Sequence, residues 1–157
     1  MSTLQSVENH RVVETFRRAV DRNQSMIEDS HLVARVGEFL GCPVLKLDKP
    51  HWNNRGEVDI PGEIFFSIWM EADDRIKYNI HALKLRHLTA YKLQSREFAA
   101  AFRAKFEPAS WPNISTDFGP QTLMQGWIST DSNLDELIAK FVEMHQLIDE
   151  LLKERMK

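Results

Sequence analysis

The chain of 157 residues has one cysteine, Cys42. No internal disulfide can form, so stability has to come from packing. A reducing compartment is the simple expectation, with the cytoplasm as the default. No apolar stretch approaches the roughly 20 residues that cross a bilayer, so no membrane partner is expected. The opening MSTLQSVENHRVVETF lacks the uninterrupted apolar run of a secretory signal. Glycine and proline are sparse, six of each, and no linker, repeat or low-complexity tract divides the chain. Also missing are GxGxxG, a P-loop, GxSxG, HExxH and paired CxxC. His81 and His87 stand six apart with no carboxylate or cysteine between them. Neither a metal site nor a cofactor is therefore expected.

The residues present describe a folded globular protein: 43% are apolar and 27% charged. The net charge of −3 hides an uneven distribution. Residues 75–105 carry eight Lys or Arg against Glu97 alone, whereas residues 1–74 carry eight against thirteen Asp or Glu. Such a block can meet an anion, or it can pair with the acidic segments on either side.

Apolar spacing predicts a long first helix, with Val13, Phe16, Val20 and Ile27 near one stripe. DSHLVARVGEFLG reads as a second helix, capped by Asp29 or Ser30 and closed by Gly41 before Pro43. The period then changes. PVLKLDK alternates Val44 and Lys46 against Leu45 and Leu47. EIFFSIWMEADDRIKYNIHAL reads as a hairpin turning at EADDR, with Ile64, Phe66, Ile68, Met70, Ile76, Tyr78, Ile80 and Ala82 toward the core. AYKLQ suggests a short strand, REFAAAFRAKF a helix and TLMQGWIS a last strand. The whole is expected to be a single α+β domain over 1–157. A helical part would span 4–41, and a sheet region 43–129 would enclose a helix at 95–106. A long helix over 132–155 would complete an antiparallel sheet of about four strands packed under helices.

The opposite face of the hairpin is the candidate ligand site. It presents Phe65, Ser67 and Trp69 on one arm and Arg75, Lys77, Asn79 and His81 on the other. Lys84 and Arg86 join if the alternation slips after Ala82. Aromatic rings among cations suit an anionic, planar ligand, a small molecule or a nucleic acid. The loop KPHWNNRGEVDIPG offers His51, Glu57 and Asp59 as weak catalytic candidates, because a general base needs a positioned partner. In the final helix Leu134, Leu137, Phe141, Met144, Ile148 and Leu151 follow heptad spacing, which suggests a homodimer through that helix. The leading expectation is a non-catalytic binding module for an anionic ligand or partner. A small hydrolase- or transferase-like enzyme, with its site between the 51–59 loop and the basic face, is the alternative. A structural or assembly protein is the third reading.

Overall fold

The computed structural model describes residues 3–39, 41–53, 63–70, 75–85, 88, 90–129 and 134–157, with backbone alone for 3–7. Helices α1 (Thr3–Arg22) and α2 (Gln24–Asp29) come first, followed by strands β1 (Val33–Phe39) and β2 (Cys42–Asp48). A single 3-10 turn, Pro50–Trp52, follows β2. Next come β3 (Ile64–Met70), β4 (Arg75–Ala82), α3 (Ser95–Lys105) and β5 (Thr122–Ser129). Helices α4 (Leu134–Met144) and α5 (Gln146–Lys153) end the chain. No helix among the described residues is long and apolar enough to cross a membrane.

The strands form one antiparallel sheet in the order β1-β2-β3-β4-β5. The α+β class is as expected, with five strands rather than about four. The additional strand is β1, in the stretch read as a second helix. That reading took Gly41 for a helix C-cap. Its positive φ of 80° instead serves the turn between β1 and β2, where Phe39 pairs with Cys42. The helical part therefore ends at Asp29 and the sheet begins at Val33. AYKLQ contributes only an isolated bridge from Tyr91 to Met156. The long C-terminal helix is broken at His145, whose Nδ1 bonds the Val142 carbonyl oxygen at 2.5 Å. The EADDR turn lies, but for Arg75, outside the described residues.

Strict alternation divides the sheet into two faces. Leu45, Leu47, Ile64, Phe66, Ile68, Ile76, Tyr78 and Ile80 are buried on one of them. Phe16 of α1, Phe98 and Phe102 of α3, and Phe141 of α4 belong to the same core. Phe66 stacks on Phe141 with centroids 4.4 Å apart. Of the heptad stripe, Leu134, Leu137, Phe141, Ile148 and Leu151 are buried within the single chain and Met144 is half-buried. Trp111 is buried beside Tyr78, which donates a 2.7 Å hydrogen bond to the Pro112 carbonyl. The tyrosine crosses Gly126 so closely that any Cβ there would collide with it.

Candidate functional site

The second face of the sheet bears polar and aromatic side chains. Register places Phe65 opposite His81, Ser67 opposite Asn79 and Trp69 opposite Lys77. On the other side of β3, Lys46 pairs with Ser67 and Val44 with Trp69. A cavity of about 380 Å³ opens over these rows. Phe39, Cys42, Val44, Phe65, Trp69 and Leu83 supply its less polar walls. Lys46, Ser67, Asn79 and His81 supply its polar groups.

Lys46 Nζ lies 4.4 Å from the centroid of Phe65 and 5.5 Å from that of Phe39. Burial lowers its pKa, and the charge of Arg35, its partner across β1, lowers it further, while Asp48 pulls the other way. An ammonium between two rings retains cation–π attraction but has lost part of its water. Asp48 stands two residues along the same strand and is almost fully buried. Burial raises its pKa to about 6, against the Asn53 hydrogen bond and the charges of Arg35 and Lys46.

Three polar side chains form a connected row. Ser67 Oγ donates to Asn79 Oδ1 at 2.8 Å, and Asn79 Nδ2 lies 2.7 Å from His81 Nε2. Burial lowers the His81 pKa; the Gln121 main-chain carbonyl works against that shift, and the Lys46 charge adds to it. His81 is therefore a neutral hydrogen-bonding group at neutral pH rather than one more cation.

Of the residues expected at a ligand site, Phe65, Trp69 and His81 line the cavity. Arg75 shares their face but lies over the Trp127 ring, 4.2 Å from its centroid. Lys77 sits in the Trp69 row, outside the cavity wall. Lys84 follows the end of β4 with a positive φ of 47° and is exposed, so it does not join the cluster. Arg86 lies outside the described residues. Among the described residues, the cations of the basic block have different surroundings. Arg103 is spent on the carbonyls of Gly119, Leu123 and Thr122, and Lys105 lies 3.3 Å from Glu154.

Lys46 and Phe39 are cavity residues that the sequence alone does not indicate. The alternation of PVLKLDK shows which way Lys46 points, but not that β2 lies beside β3. Phe39 fell in the stretch read as helix.

Of the weak catalytic candidates, His51 alone is among the described residues. Glu57 and Asp59 lie outside the described residues. His51 pairs with Asp149 of α5, Nε2 to Oδ1, at 2.6 Å. The same carboxylate accepts from Trp52 Nε1 at 2.9 Å and from Lys49 Nζ at 2.5 Å. Burial alone would raise the Asp149 pKa. The bonds from His51, Lys49 and Trp52, with the Lys49 charge, outweigh it and hold the group far below the usual carboxylate range. Trp52 is fully buried against Phe141, so the assembly pins the end of β2 onto the helical layer. None of His51, Trp52 or Asn53 lines the cavity on the other face. Among the described residues, no group of three or more His, Cys, Asp or Glu is placed to hold a metal ion. No family model, curated protein or solved structure matches this chain.

Proposed function

We propose that the chain is a non-catalytic binding protein whose open sheet face takes a small anion with a flat apolar body. The observation that carries this reading is Lys46: a partly desolvated ammonium set between Phe39 and Phe65 in a cavity of about 380 Å³. An anion there would restore the interactions the ammonium loses by burial, while its apolar part would cover the aromatic walls. A cavity of this size fits one or two fused rings rather than a polymer. Among the described residues, Arg75 lies over the Trp127 ring and Lys77 sits outside the cavity wall, which favours a small anion at Lys46 over a nucleic acid backbone. The lone cysteine supports the cytoplasm as the place of action.

The test is a fluorescence titration with 8-anilinonaphthalene-1-sulfonate, an aromatic sulfonate, on the folded protein. Lys46→Met should weaken binding about tenfold or more, the worth of one charge-assisted contact. Raising the salt concentration should weaken it with a log–log slope near one. Equal affinity in Lys46→Met would overturn the reading. Displacement of the dye by single-stranded DNA with a slope of several would transfer the site to nucleic acid.

A further inference from the structure

The row Ser67–Asn79–His81 has a direction, and that direction limits what the cavity can recognise. We infer that at neutral pH the cavity floor accepts a hydrogen bond from the ligand through Ser67 Oγ, and that protonating His81 reverses the row so that Ser67 donates instead. The inference deepens the proposed function, since it rests on the same cavity and adds a hydroxyl or amine to the description of the ligand.

Each hydrogen bond in the row fixes the next. The Ser67 hydroxyl has one proton, and it is committed to Asn79 Oδ1. Asn79 therefore turns its NH₂ toward His81, and Nε2 of the ring must offer a lone pair. The imidazole proton then sits on Nδ1. That atom is buried and has no close partner of its own, and the Gln121 carbonyl is the main-chain acceptor acting on the ring. Ser67 is left with unused lone pairs, in a residue that lines the cavity. A ligand that reaches Lys46 with its anionic group can meet them only with a donor, because a second acceptor would leave both atoms unsatisfied. Lys46 and Ser67 are cross-strand neighbours, so one small molecule spans both.

Protonation changes every link. Both nitrogens of an imidazolium donate, so Asn79 must rotate its amide and present Oδ1 to Nε2. Its NH₂ then donates to Ser67 Oγ, which releases the hydroxyl proton toward the cavity. The one bond formed is Nε2–H, with its proton taken from solvent; the Asn79 amide and the Ser67 hydroxyl then rotate. Lys46 from β2 is the charge that acts on the ring, Phe65 from β3 covers it at 5.0 Å, and the Gln121 carbonyl precedes β5. Asp48, on the Lys46 strand, also titrates as the pH falls. It alters the pull on any anion alike, so a ratio of two anions cancels its effect.

The experiment compares two naphthalene-1-sulfonates that carry a hydroxyl or a methoxy group at the same ring position. The hydroxyl can donate and accept, whereas the methoxy only accepts. At about pH 8 the hydroxyl probe should bind about five- to tenfold tighter, the worth of one neutral hydrogen bond. The ratio should fall toward one on acidification, with a midpoint below 6.5, the ordinary histidine value. Ser67→Ala should hold the ratio near one at every pH while Lys46→Met still weakens both probes. Nitrogen NMR of the imidazole provides a second readout, with the proton on Nδ1 at about pH 8. A ratio of one in the unmodified protein, or a proton on Nε2, would overturn the inference while leaving the cavity reading intact. If neither probe binds, or Lys46→Met leaves both unchanged, the cavity reading fails and takes this inference with it.

Discussion

His51 and Asp149 are 98 residues apart in sequence, yet His51 Nε2 and Asp149 Oδ1 lie 2.6 Å apart. The contact joins the turn after β2 to the last helix. Lys49 and Trp52 converge on the same carboxylate, so one side chain holds three others in place. Removing it strands a buried ammonium and a buried indole N–H.

Asp149→Asn should therefore cost about 3 kcal/mol in urea unfolding, near the lower end for breaking a buried pair because the carboxylate keeps some contact with water. The pH dependence has a definite sign. The folded pKa is depressed, so the stabilisation is complete above the unfolded value of about 3.9 and is lost as the pH falls below it. Stability measured from pH 7 down to pH 2 should decline through this window in the native chain and decline less in Asp149→Asn. Parallel curves would show that the carboxylate is not held as described.

Asp48 should behave in the opposite sense. Its folded pKa, about 6, lies above the unfolded value near 3.9, so the folded state keeps the proton longer. Its contribution is largest below about pH 4 and disappears as the pH rises through 6. The loss across that interval is about 2–3 kcal/mol. In Asp48→Asn the fall in stability between pH 4 and pH 7 should be reduced by that amount. Melts across the interval that match in both proteins would place the titration elsewhere.

Phe141 tests the stripe on α4 and α5. It is fully buried and stacked on Phe66, so Phe141→Ala should cost about 3–5 kcal/mol. The sequence stripe suggests a helix-mediated homodimer; if the contacts that bury Phe141 within its own chain supply the whole cost, a second copy adds nothing to it. The urea midpoints of both proteins should then be independent of protein concentration. A midpoint that rises with concentration would show the stripe shared between two copies.

The β3–β4 hairpin was legible from its residues because one face is apolar at every second position and the other is polar or aromatic. That contrast fixed the face that bears Phe65, Trp69 and His81. β1 was not legible. In HLVARVGEFLG both faces contain aliphatic residues, so no period of two emerges, and Leu32, Val36 and Phe39 fit a helical stripe as well. Gly41 was read correctly as a residue needing a positive φ, but a hairpin turn and a helix C-cap share that need. Lys46 entered the site through strand adjacency and Asp149 met His51 through tertiary packing. Neither relation leaves a trace in local spacing. The broad stripe from Leu134 to Leu151 shows how strongly that helix seeks apolar contact, but not whether its own sheet or a second chain supplies it.

The strand order β1-β2-β3-β4-β5 follows the chain without a crossover. The first four strands can therefore pair in chain order, across separations of 2, 15 and 4 residues, at modest entropic cost. Only the pairing of β4 with β5 must wait, because residues 83–121, with α3 among them, intervene. The cavity depends on β1 to β4 alone, apart from the Gln121 carbonyl beside His81. Its walls can thus form early in folding, before the slowest closure brings β5 and the C-terminal helices against the core.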